Sequence, residues 1–183
     1  MKLRYVDMML IRYVVVLFLL MTGCRKDSGE RIFEMLFPNI TFEIPAGLNA
    51  SFQQVFELPV VPSNIDAYLT EFSMDTAMIR AILPVSARLS SLDGAPFGYD
   101  FVEAISIRIC DPAKADCFDG EEVFYIDNLR GRAGQEIRLI PGLRNAKRDL
   151  IRQQFRLEVV FYFAYTTPFA VRSRLQLSFE ALR

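Results

Sequence analysis

Residues 155–182 read FRLEVVFYFAYTTPFAVRSRLQLSFEAL, and they decide the fold class. Phe155 to Tyr165 is dense in aromatic and β-branched side chains, the composition that suits a pleated, half-buried surface. From Val171 to Leu182 the chain alternates, with Leu175, Leu177 and Phe179 on one side and arginines, Gln176 and Ser178 on the other. A period of two is the mark of a strand with one face in a core. Between the two runs, Thr166-Thr167-Pro168-Phe169-Ala170 has the length and composition of a hairpin loop.

The same texture extends towards the amino end. Ile40, Phe42 and Ile44 alternate with Thr41 and Glu43, and Ser51 to Leu58 is a second strand candidate stopped by Pro59 and Pro62. Met78 to Leu83 and Val85 to Leu92 flank Pro84, whose missing amide predicts an edge or a bulge. Val102 to Cys110 sets Ile105, Ile107 and Ile109 against Ser106, Arg108 and Cys110. Glu122 to Ile126 and Glu136 to Ile140 complete the strand candidates, and residues 145–154 suit a helical turn or a crossing loop. One helix is expected after Ser63 or Asn64, from Ile65, Leu69 and Phe72 at i, i+4 and i+7, with Asp66 favourably placed in its first turn. Eight to ten short strands punctuated by Pro and Gly predict an all-β, antiparallel β-sandwich, immunoglobulin-like or related, with one short helix; a small β-barrel is the alternative.

The first residues have a different character. Lys2, Arg4 and Arg12 stand against a single Asp7, and Tyr13 to Met21 is an uncharged apolar core of nine residues. That length suits a secretory signal and falls well short of the roughly 20 residues that span a bilayer. The core closes on Leu20-Met21-Thr22-Gly23-Cys24, which resembles the lipobox of bacterial lipoproteins, with Met21 where Leu is usual. The resemblance implies cleavage before Cys24, lipidation of its thiol and acylation of the new amino terminus. Each buried acyl CH₂ contributes about 0.8 kcal/mol, and more than one chain gives stable attachment. Residues 1–23 are therefore expected to be a signal peptide and 24–36 a flexible tether. Residues 37–183 are expected to form a single sandwich domain. The charged Arg25-Lys26-Asp27-Ser28-Gly29-Glu30 after the cysteine, with the strand-rich body, resembles small lipoproteins of Bacteroidota-type bacteria. The implied location is the cell envelope, at the outer membrane, with the membrane itself as partner through Cys24.

Removing the leader leaves 18 basic against 21 acidic residues, a balance of −3 that offers no general attraction to nucleic acid. The remaining cysteines, Cys110 and Cys117, are expected to pair in an exported, oxidising setting. Zinc is a poor alternative for them, since the chain holds no histidine and no second cysteine pair. The absent histidine also removes Ser-His, Cys-His and His-metal chemistry. With no Gly-x-Ser-x-Gly, Ser-x-x-Lys or glycine-rich phosphate loop either, the sequence calls for no enzyme activity and no cofactor. Asp111, Asp116, Asp119, Glu121 and Glu122 crowd the cysteine loop as weak calcium candidates, although their spacing lacks the EF-hand order. Residues 129–156 hold eight basic and two acidic side chains. This block could face anionic lipid or an acidic partner, but pairing with the acidic residues 24–128 of the same domain is the favoured reading. The expected role is non-catalytic binding or scaffolding. The alternatives are glycan capture through Tyr68, Tyr99, Tyr125, Tyr162 or Tyr165, and membership of an adhesin- or pilus-like assembly through an unpaired strand edge.

Overall fold

The computed structural model describes residues 29–114, 117 and 119–183. Cys24 and Asp116 lie outside the described residues. Nine strands form one antiparallel sheet: β1 Arg31–Ile44, β2 Gln54–Glu57, β3 Val61–Pro62, β4 Ala81–Ser91, β5 Val102–Cys110, β6 Glu122–Ile126, β7 Glu136–Pro141, β8 Gln154–Phe163 and β9 Val171–Leu182. Helix α1 is Ile65–Glu71 and α2 is Lys147–Leu150, with 3₁₀ turns at Thr76–Met78 and Asp119–Glu121. The fold thus has a second short helix beyond the one expected, within residues 145–154, which suited a helical turn or a crossing loop. No helix among the described residues is long and apolar enough to cross a membrane.

The strand order is β1-β9-β4-β7-β6-β5-β8-β2, with β3 added beside β8. Early strands pair with late ones in mirror order: β1 with β9, β2 with β8, β4 with β7, β5 with β6. The two layers, β1-β9-β4-β7 and β2-β8-β5-β6, are the eight strands of a jelly roll. The expected antiparallel sandwich is present, and its connectivity is that of this related fold rather than the immunoglobulin order. The layers stay joined along one side, where Phe124 opposes Pro141 and Tyr125 opposes Ile140. The sheet is therefore curled into a half-barrel, midway between the two expected architectures.

Inward positions fill the space between the layers. Phe37 meets Phe155 edge-on at 5.1 Å, and Phe124 meets Phe179 at 5.4 Å. Such pairs contribute about 1 kcal/mol each beyond their buried area. Prolines fall where the ladder breaks. Pro84 opens a register shift in β4 between Pro84 and Ser86, and Pro38 lies within the one between Phe37 and Ile40. β1 starts at Arg31, six residues earlier than the boundary expected at Phe37, because Phe33, Met35 and Phe37 already alternate inward.

The mirror pairing sorts the connections to two ends. At one end β1 begins and β9 finishes, with the Arg183 amide donating to the Glu30 carbonyl at 2.9 Å. That end also carries α1, α2, the Thr76–Met78 turn and the cysteine loop after β5. The opposite end carries the links β1–β2, β4–β5, β6–β7 and β8–β9. The described chain therefore begins and finishes at one end, and four of its connections gather at the other.

Candidate functional site

At the end opposite the start of β1, Asp100, Arg130, Gly131, Ala164 and Tyr165 line an open depression of about 530 Å³. Three connections build it, and each is pinned. The Ala164 amide donates to the Phe101 carbonyl at 2.8 Å, and the Leu129 amide to the Glu103 carbonyl at 2.9 Å. Gly131 closes a tight turn at φ +67°, a left-handed backbone that glycine adopts without strain. Arg130 reaches Glu103 at 3.4 Å, and Tyr165 leaves its ring half-exposed. Beneath the loops, Phe169 packs edge-on to Phe97 and Phe101. Asp93 accepts from both the backbone amide and the guanidinium of Arg172, at 2.6 and 2.7 Å. These bonds, the backbone one foremost, hold its carboxyl below the usual range. A flat ring, a carboxylate and a guanidinium on a fixed floor suit a hydroxyl-rich ligand: the ring stacks and the charged groups hydrogen-bond.

The other tyrosines are placed differently. Tyr99 is buried and donates to Ser173 Oγ at 3.0 Å. Tyr68 stacks on Phe33 at 5.1 Å, and its hydroxyl accepts the Leu36 amide on the outer edge of β1. Tyr125 and Tyr162 are exposed, with the Tyr162 hydroxyl donating to Gln53.

Cys110 and Cys117 are bonded to each other, with Cα atoms 5.6 Å apart. The bond ties Cys117 back to the end of β5, close to Glu158 on the face of β5 and β8 that turns away from the core. There Glu122, Arg108, Glu158 and Glu57 stand in cross-strand register. Arg156 donates to Glu158 at 3.1 Å, and Ser106 to Glu122 at 2.5 Å. Burial pushes the Glu158 carboxyl up, against the pull of Arg156. One sulfur of each cysteine and one Glu158 oxygen lie within 4.8 Å of one another, but sulfurs bonded as a disulfide are not thiolate ligands.

The calcium candidates do not converge among the described residues. Asp111 accepts from the Ala113 amide and pairs with Arg152 at 2.7 Å, so a protein cation faces it where calcium was considered. Glu121 offers its backbone carbonyl to Arg144, Glu122 takes Ser106, and Asp119 has its backbone in a 3₁₀ turn. The basic block is drawn into the same network. Arg144 donates to the carbonyls of Ile109 and Glu121 and to Asp149, which is buried. Arg152 pairs with Asp111 and Arg130 with Glu103, both in residues 24–128, while Arg138 and Arg144 pair with Glu136 and Asp149 inside the block and Arg156 with Glu158 beyond it.

Sequence reasoning singled out Tyr165 and counted Arg130 only as one of a block. Asp100, Gly131 and Ala164 were missed. Arg130-Gly131 is a turn pair that marks a loop, but nothing in linear spacing joins it to residues some 30 positions away on either side.

No protein-family model and no curated protein matches the chain. Among solved structures it is similar to the capsid of Ralstonia phage GP4, at 20% identity and TM-score 0.41, over 82% of this chain and 86% of that one. It is also similar to the acid-stable capsid of Helicobacter pylori bacteriophage KHP30, at 12% identity and TM-score 0.27, over 81% and 93%. A third is the human norovirus GI.7 virus-like particle, at 16% identity and TM-score 0.35, over 86% of this chain and 35% of that one. At this level the likenesses carry no argument about the role of this chain.

Proposed function

We propose that the chain is a lipid-anchored module of the bacterial cell envelope, held at the outer membrane through Cys24, that binds or scaffolds without catalysis. The observation that carries this reading is the placement of Cys24. It closes an uncharged apolar core of nine residues and stands five residues ahead of Gly29, beside the start of β1. A domain hung from that point presents its remote loops away from the anchor. Cys24→Ala is expected to move the protein from the membrane to the soluble fraction; a variant that still sediments with membranes would overturn the anchor.

Glycan capture is the second reading, favoured by Tyr165, Asp100 and Arg130 around one open depression. Tyr165→Ala and Asp100→Ala are expected to abolish retardation in gels cast with envelope or host polysaccharides, without lowering the melting temperature. If the wild type is not retarded by any such polysaccharide, the glycan reading fails. Membership of a strand-exchanging assembly is less favoured, since the Tyr68 hydroxyl already takes an outer amide of the edge strand β1.

A further inference from the structure

We propose that the tether end of the sandwich docks on the lipid surface that holds Cys24, inserting Leu143, Met78 and Phe72 among the headgroups. The inference rests on the anchor reading. Five residue steps separate Cys24 from Gly29, so the tether reaches at most about 18 Å even when fully extended. A lipidated cysteine lies at the membrane surface, and the sheet end is thereby confined beside it. The 12 residues of β9 rise about 40 Å, which keeps the remote loops clear of the bilayer when the strands stand upright.

Three of the large apolar side chains that face solvent lie at this confined end, while others, Phe52 among them, lie elsewhere. Leu143 is 99% exposed, Met78 48% and Phe72 42%. They lie on elements tied to the start of β1 or to the start of β4 beside the end of β9. Met78 closes the 3₁₀ turn just before β4, whose first residue pairs with Leu182 at the end of β9. The link bearing Leu143 is tied to β4 by the Ala146 amide on the Ile82 carbonyl at 2.8 Å, and by the Ile82 amide on Asn145 Oδ1 at 3.1 Å. Phe72 leans on Phe33 near the start of β1, with ring centroids 5.4 Å apart. An interfacial contact of this kind buries apolar tips in the headgroup boundary and keeps flanking charges wet. The charges at this end are of both signs, Arg31, Arg80, Lys147, Arg148 and Arg183 with Glu30, Glu71 and Asp75. Apolar insertion therefore drives the docking, and added salt has little effect on it. Docking at one end, with the tether, holds the depression at the other end outward.

The chain has no tryptophan, so a single introduced indole reports its own depth without background. The test uses the full-length lipidated protein in phosphatidylethanolamine–phosphatidylglycerol vesicles that carry some lipid brominated on its acyl chains. Leu143→Trp, Met78→Trp and Phe72→Trp are expected to lose at least half their emission relative to unbrominated vesicles, equally at low and high salt. Phe52→Trp, exposed in the remote β1–β2 link, is expected to lose none. Co-flotation with vesicles but no quenching at the three positions overturns the docking and leaves the anchor standing. Blue-shifted yet unquenched emission there overturns it in favour of a second copy or another protein on this face. Failure to co-float overturns the anchor and the docking together.

Discussion

Tyr99 shows how a single buried group ties loop geometry to pH. Its ring is enclosed, its hydroxyl donates to Ser173 Oγ, and its amide donates to the Gly134 carbonyl at 3.0 Å. Burial pushes the phenol up to about 12, from an ordinary value of 10.0. The folded chain therefore keeps this proton at pH values where the unfolded chain has lost it. The contribution is complete below pH 10 and disappears as pH rises towards 12. Its full size is about 3 kcal/mol from the displacement of the phenol. Urea unfolding at pH 8 and pH 11.5 should show this loss in the wild type. Tyr99→Phe should show a smaller loss between the same pH values, while costing about 1 kcal/mol at pH 8 for the missing hydrogen bond. Equal alkaline losses in both proteins would contradict the assignment.

At the scale of elements, the cysteine loop is the clearest test. Cross-linking a loop of this length restricts the unfolded chain by roughly 2.5 kcal/mol. Replacing Cys110 and Cys117 by serine should lower the unfolding free energy by about that amount, and a reductant should do the same to the wild type. The wild type purified without reductant should show no free thiol among these two. The elements themselves were largely legible. Alternation along Val171–Leu182 and Val102–Cys110 names inward faces directly, because side-chain direction repeats every two residues. Phe33 and Met35 carried the same signal for the start of β1, masked by the charges of Arg31 and Glu34 around them. Helix α1 starts where expected, but Ser63 rather than Asn64 supplies the capping oxygen: Asn64 takes a left-handed backbone, and Ser63 Oγ accepts the Ile65 amide at 3.3 Å. Strand neighbours were not legible, since a period of two states which face is buried and nothing about which strand lies alongside. The same holds for Asp100 and Arg130, which only the folded loops bring to one depression.

For the molecule as a whole, stability is bounded on the acid side as well. Backbone amides lower the carboxyls of Asp75, Asp93 and Asp111, through Ala77, Arg172 and Ala113 respectively. A depressed folded value means that the contribution is present above the ordinary carboxylate range and is lost as pH falls through the folded one. Melting temperature should therefore fall as pH drops below about 4, with Asp93→Asn, which removes one of the three ionisable groups, showing a shallower decline than the wild type. The mirror-order pairing has a further consequence, in time rather than in space. β5 and β6 are joined by one short loop and can pair as soon as both exist, while β1 ends more than a hundred residues before its partner β9 begins. A chain threaded through a membrane amino end first would deliver β1 early and then wait. Under the proposed anchor, Cys24 would be acylated while the body was still pliable, and the sandwich would close only when the last strand emerged.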